Sequence, residues 1–135
     1  MSARDRKLEI ALWTPDELEL QDRLIRGETI VVNIRANGPH PRLVEWAERE
    51  GLLVYIGRST RGRPCSPWAN PYKVGRDGTR GDVVDRFAAL RDLKPPGREP
   101  RNLAELEGKA LGCWCKPERC HGDIIAASVN AHRIG

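Results

Sequence analysis

Thr29-Ile30-Val31-Val32-Asn33-Ile34-Arg35 and Leu52-Leu53-Val54-Tyr55-Ile56 decide the fold. Both runs are rich in β-branched residues and bounded by turn residues, so each reads most simply as a buried strand. Between them Asn37-Gly38-Pro39 marks a turn. Pro41 to Glu50 then reads as a helix with Leu43, Val44 and Ala47 inward and Gly51 as its stop. Strand, helix and strand within about 30 residues make a βαβ unit, whose crossover is right-handed.

Upstream of this unit, Met1 to Leu12 reads as a tail leading to a helix. Thr14-Pro15-Asp16-Glu17 is a strong helix start. Thr14 caps, Pro15 suits the first helical position, Glu17 completes a capping box, and Trp13 and Leu18 occupy the two positions of a hydrophobic staple. Leu18, Leu24 and Ile25 form an apolar stripe, and Gly27 ends the helix. Residues 1–28 are thus read as an N-terminal tail and accessory helix, and residues 29–135 as an α/β domain.

Downstream, Gly57 to Gly78 is an irregular stretch rich in glycine, proline and arginine. Structured loops of that length in compact domains are usually functional. Thr79 caps a further helix with Asp82 three residues on. Val83, Phe87 and Leu90 share one face, flanked by Val84 and Ala88, and Pro95-Pro96-Gly97 ends it. Asn102 to Glu107 reads as a short helical turn and Lys109 to Cys115 as a third strand. Asp123 caps a last helix with Ile124, Ala127, Ser128 and Ala131 inward. The pattern predicts an α/β fold: a small single-domain sandwich with a short, mostly parallel sheet flanked by helices. The 135 residues suffice for one core.

Twenty-three Lys and Arg face nineteen Asp and Glu, a net charge of +4. The excess is concentrated between Ile56 and Arg101, where eleven basic residues stand against five acidic ones. Such a field suits a phosphorylated small molecule or nucleic acid, and equally a solvated surface. No apolar run is long enough to span a membrane, and Met1 to Leu8 lacks the apolar centre of a signal peptide, so no membrane association is expected. The reading is of a cytoplasmic protein with reduced thiols.

In a parallel sheet, ligands bind beyond the carboxyl ends of the strands. That edge would gather Asn33 and Arg35 from the first strand, Gly57 and Arg58 from the second, and Cys113 and Cys115 from the third. Three of the four cysteines and His121 fall in the nine residues from Cys113 to His121, just before the last helix. Three readings stand open. Cys115, Cys120 or His121 could be catalytic, a thiol at a helix start beside a histidine being activated. Cys113, Cys115, Cys120 and His121 could bind zinc, a suitable ligand set at an unusual spacing. Or Cys113 and Cys115 are core residues of a buried strand, with Cys120 and His121 shaping a tight turn.

Arg58, Arg76 and Arg80 could clamp a phosphate, helped by the start of the last helix at Asp123, with Asn33 and Asn70 orienting the ligand. Trp68, between two prolines, either stacks on a base or packs its loop onto the domain. Cys65, His40 and His132 carry no signal.

Several stretches together resemble the family named domain of unknown function 4326. They are Val31-Val32-Asn33, Tyr55-Ile56-Gly57-Arg58, Ser66-Pro67-Trp68-Ala69-Asn70-Pro71-Tyr72, Gly75-Arg76-Asp77-Gly78-Thr79-Arg80, Gly112-Cys113-Trp114-Cys115 and Cys120-His121-Gly122-Asp123. The resemblance runs from about Thr29 to Val129. The family usually has glycine at Ala69 and phenylalanine at Tyr72. It implies a compact cytoplasmic domain of bacterial, phage or mobile-element type and supplies no activity. The leading functional expectation is a cleft that binds a phosphorylated ligand, a nucleotide or sugar phosphate, with thiol chemistry. The alternatives are a non-catalytic nucleic-acid-binding module, zinc-stabilised or not, and a phage-type protein that binds a host factor.

Overall fold

The computed structural model describes residues 12–60, 62–90 and 102–133. Among these residues, four α-helices, three strands and one 3-10 turn follow in the order α1 (Pro15–Ile25), β1 (Ile30–Asn33), α2 (Pro41–Arg49), β2 (Leu53–Tyr55), α3 (Arg80–Ala88), the 3-10 turn (Leu103–Leu106), β3 (Ala110–Cys113) and α4 (His121–Arg133). The strands pair in the order β1-β3-β2, and both pairings are parallel. The last strand in sequence is therefore the central one, inserted between the two strands of the βαβ unit. Its register sets Cys113 beside Asn33 and Gly112 beside Tyr55, so all three strands end along one edge.

Strand side chains alternate between the two faces, and both faces are covered. Ile30, Val32 and Ala110 meet Trp13 and Leu24 of the α1 region and Leu43 and Ala47 of α2. Val31, Leu111 and Cys113 meet Phe87 of α3 and Ile125, Ala126 and Val129 of α4. Burial on both faces explains why β1 and β3 are continuous apolar runs without polar alternation. Leu43 and Ile30, almost fully buried, contribute about 1.5–3 kcal/mol apiece. Gly112 lets the central strand lie close under its neighbours: a Cβ there would come within 2.8 Å of Ile34 Cγ2.

The first helix is tied to the second by one carboxylate. Glu17 is only 1% exposed. Its Oε1 accepts from Thr14 N at 3.0 Å, closing the capping box. Its Oε2 accepts from Arg42 N and Leu43 N, both at 2.8 Å. These amides belong to the first turn of α2, whose N-cap residue, His40, offers no side-chain cap of its own. His40 instead bridges β1 to α1. Its Nδ1 accepts from Asn33 N at 3.0 Å, so its Nε2 carries the proton and donates to Asp16 Oδ2 at 2.8 Å. A histidine that carried no signal in sequence is thus a buried link between two elements.

Three details of the sequence reading change. Ile25 is exposed, and the α1 stripe comprises Leu24 with Leu18 and Leu20. Ala88 is exposed on α3, where Val83, Val84 and Phe87 are buried. α4 begins at His121, not after Asp123, which turns His121, Gly122, Ile125, Ala126 and Val129 inward and leaves Ala127 and Ala131 exposed. The Pro95-Pro96-Gly97 stop and the tail from Met1 to Ala11 lie outside the described residues. So do Arg61, Arg91, Lys94, Arg98 and Arg101 of the basic segment.

Candidate functional site

β3 ends on Cys113, and the chain turns through Trp114, Cys115 and a cis Lys116–Pro117 bond to reach Cys120, the residue before α4. Asp123, in the first turn, accepts from Cys120 N at 3.1 Å and pairs with Lys116. This carboxylate folds the turn back so that Cys120 lies over the end of β3. Its Sγ is 3.4 Å from Cys113 Sγ. Both residues are 2% exposed, while Cys115 is half-buried.

The three thiols shift one another's ionisation. The Cys113 S–H, then that of Cys120, hold the Cys115 thiol well below its ordinary value, and the Arg80 guanidinium acts in the same direction. Cys113 is pushed up, chiefly by its bond to Cys115, and Cys120 is pushed up, chiefly by its bond to Cys113. Of the three thiols, Cys115 is thus the one whose ionisation its neighbours favour, and the two inner thiols are the ones they disfavour.

Cys115 opens onto a cavity of about 200 Å³ at the carboxyl edge of the sheet. Its walls include Arg58, Asn70, Arg80, Cys113, Cys115, Cys120 and His121. Seven of the sequence-predicted residues, drawn from distant parts of the chain, thus meet in one place. Tyr72, Trp114 and Arg119 also line it. Arg119 and Trp114 stood inside the cysteine motif, and that adjacency was the available signal for both.

Within this wall the polar groups differ in freedom. Arg58 donates to the carbonyls of Asn70, at 3.0 and 3.2 Å, and of Tyr72, so it holds the loop in place. Asn70 donates to Val83 O and accepts from Tyr72 N, both at 3.0 Å. Arg119 pairs with Asp85 at 2.8 Å, and Arg80 with Glu118 at 2.9 Å. Both ion pairs are well exposed, and such pairs contribute about 0–1 kcal/mol and exchange readily.

Four predicted residues lie elsewhere. Asn33 donates to Lys116 O and accepts from Arg35 N, tying β1 to the turn after β3. Trp68 is 6% exposed within the core, so its ring packs the loop and has no face free for stacking on a base. Arg76 pairs with Asp77 and donates to Pro71 O, away from the cavity. Asp123 is engaged with Cys120 N and Lys116, so a carboxylate already occupies the start of α4 where an anion was expected.

His121 faces the core. Ile56 O accepts from its Nε2 at 2.9 Å, and Phe87 meets its ring edge-on at 5.1 Å between centroids. Burial pushes its pKa down, and the bond to Ile56 opposes this. The imidazole is accordingly neutral, with the proton on Nε2. Among the described residues no group of three or more His, Cys, Asp or Glu is arranged to hold a metal ion.

A three-stranded parallel α/β domain with a cysteine-lined cavity at its carboxyl edge defines the class of this protein. Comparison with known families gives the next step. The chain belongs to the family described as Domain of unknown function (DUF4326), whose model matches residues 44–131. The match runs from within α2 to within α4, leaving α1 and β1 outside it. The chain is also similar to the uncharacterised 12.4 kDa protein in the nrdA-td intergenic region of Enterobacteria phage T4, at 42% identity over 66 residues. That stretch is 47% of this chain and spans 59% of the phage protein's length. No solved structure matches. Among the described residues no helix is long and apolar enough to cross a membrane.

Proposed function

We propose that this protein binds a small phosphorylated ligand in the cavity beyond β3 and that Cys115 acts on it as a nucleophile. The observation that carries this reading is the asymmetry of the three thiols. Cys113 and Cys120 are buried, while Cys115 alone is half-exposed, shares the cavity wall with Arg80, and has its thiol pushed down by the neighbouring S–H groups and by that guanidinium. A thiolate formed without a general base is ready for attack, and the adjacent guanidinium offers a bidentate partner for a phosphate.

The cavity volume narrows the ligand. About 200 Å³ lies below the usual span for drug-sized ligands. A sugar phosphate, or the sugar-phosphate end of a nucleotide, suits it better than a whole dinucleotide. Arg80 exchanges its exposed pair with Glu118 for the phosphate, and Arg119 lies on the same wall. Arg58 acts indirectly, by fixing the Asn70–Tyr72 segment.

Calorimetric titration with ribose 5-phosphate and adenosine monophosphate, against ribose and adenosine, tests the reading. Binding of the phosphorylated members only is expected, weakened about tenfold or more in Arg80→Ala. Cys115→Ser is expected to retain binding and lose any turnover. Equal binding of phosphorylated and unphosphorylated members, or an Arg80→Ala variant that binds as the parent does, would overturn it.

A further inference from the structure

The proposed ligand binding assigns the two buried sulfurs no chemistry, yet they lie 3.4 Å apart. A disulfide needs about 2.05 Å, so small side-chain rotations would suffice to join them. Cys113 and Cys120 are each 2% exposed, which shields both from a dissolved oxidant. All three cysteines line the cavity, and Cys115, the only half-exposed one, is the entry point. Cys113 and Cys115, two residues apart at a strand end, are poorly placed to pair directly. Cys120, arriving from α4, can reach either.

We propose that the three cysteines form a thiol relay that reduces a small hydroperoxide. Cys115 thiolate attacks the distal peroxide oxygen. The O–O bond breaks, the electron pair leaves on the alkoxide, which takes up a proton, and Cys115 becomes a sulfenic acid, oxidised by two electrons. The Cys120 thiol then attacks that sulfur. An S–S bond forms, the S–O bond breaks, and hydroxide leaves with the thiol proton as water. Cys113 next attacks Cys120 and releases its proton. The disulfide moves to Cys113–Cys120, and Cys115 departs as a thiolate. One hydroperoxide and two thiols give one disulfide, one alcohol and one water; a small dithiol returns the disulfide to thiols. The buried disulfide is the resting place of the oxidation, and the nucleophile is restored. The relay shares only the reactive Cys115 with the ligand-binding reading and needs no phosphate.

The test uses full-length Cys65→Ser protein, which removes the exposed fourth thiol. It is treated with stoichiometric hydrogen peroxide, blocked with N-ethylmaleimide and mapped without reduction. Trypsin cuts after Arg119 and so separates Cys120 from Cys113 and Cys115. The parent is expected to yield Cys113–Cys120, Cys113→Ala to stop at Cys115–Cys120, and Cys120→Ser to stop at a Cys115 sulfenic acid that dimedone traps. Cys115→Ser is expected to slow disulfide formation about twentyfold or more. Near-UV circular dichroism checks that each variant is folded, and Cys115→Ala serves if the serine variant is not. Formation of Cys113–Cys120 at the parental rate without Cys115 would overturn the relay. So would oxidation of parental Cys115 to a sulfinic acid with no disulfide. Parental Cys115 that alkylates readily yet forms no disulfide with peroxide would also overturn it and would leave the ligand-binding reading standing.

Discussion

Glu17→Ala tests whether the first helix is an accessory or a structural part of the domain. The carboxylate is buried and accepts three backbone N–H bonds, one in its own helix and two in the first turn of α2. Removing it leaves two amides of α2 without a partner, each costing about 1–3 kcal/mol where water cannot reach. Arg42 N is the more accessible of the two and lies at the lower end of that range. Loss of the capping box adds about 1 kcal/mol. The expected destabilisation is about 3–5 kcal/mol. For 135 residues, the average unfolding entropy converts this to a fall in Tm of roughly 10–18 °C. Urea unfolding followed by tryptophan fluorescence measures it directly, since Trp13 and Trp46 pack edge to face near this junction at 6.2 Å. Glu19→Ala, on the exposed side of the same helix, is the control and is expected to stay within about 0.5 kcal/mol. A Glu17→Ala loss below about 1 kcal/mol, or no larger than that of the control, would refute the reasoning.

Cys115 is expected to alkylate with iodoacetamide at a nearly constant rate from about pH 8 to pH 6, whereas an ordinary thiol slows about tenfold per unit below its pKa. Cys113→Ala removes the leading S–H donor and is expected to steepen that profile; a steep profile in the parent would count against the thiolate. His121 has a depressed folded pKa, so the stability it contributes is present above about pH 6.5 and is lost as pH falls below that value. His121→Gln is expected to flatten the slope of unfolding free energy between about pH 6.5 and 5, and an unchanged slope would place the titration elsewhere. Gly122→Ala puts a Cβ 2.7 Å from Ile56 Cδ1 and 3.1 Å from Val31 Cγ1. A loss of about 1–3 kcal/mol is expected, against none at Gly81→Ala, where the nearest atom is 3.9 Å away. Elemental analysis of tag-free protein is expected to find far less than one zinc per chain, since no group among the described residues is arranged to hold a metal; one equivalent would mean that the cysteine cluster rearranges around one.

Much of the fold was legible because local rules and global packing agree here. The capping boxes at Thr14–Glu17 and Thr79–Asp82 form as their spacing dictates. The β-branched runs become strands because both of their faces are covered. Where the reading failed, tertiary contacts set the outcome. Starting α4 at His121 turns a different set of residues inward, because Gly122 permits close approach to Ile56 and Val31. Ile25 is apolar yet exposed, since the buried stripe of α1 ends at Leu24. Glu17 could be read as a cap for its own helix. Its second role, with Arg42 and Leu43, depends on how two helices meet.

The site divides along the same line. Sequence alone determined the family, the α/β class and the concentration of Cys113, Cys115, Cys120 and His121 ahead of a helix, because these are matters of motif and periodicity. It also placed Arg58 near that cluster, since parallel strands must end on a common edge. Only the tertiary structure decided which members share a cavity and what state each adopts. Trp68, Asn33, Arg76 and Asp123 found partners elsewhere, and His121 turned to Ile56 O. Cys115 was set apart from two chemically identical neighbours by its exposure and by its place on a wall shared with Arg80. Those quantities arise from three-dimensional proximity, and no spacing along the chain encodes them.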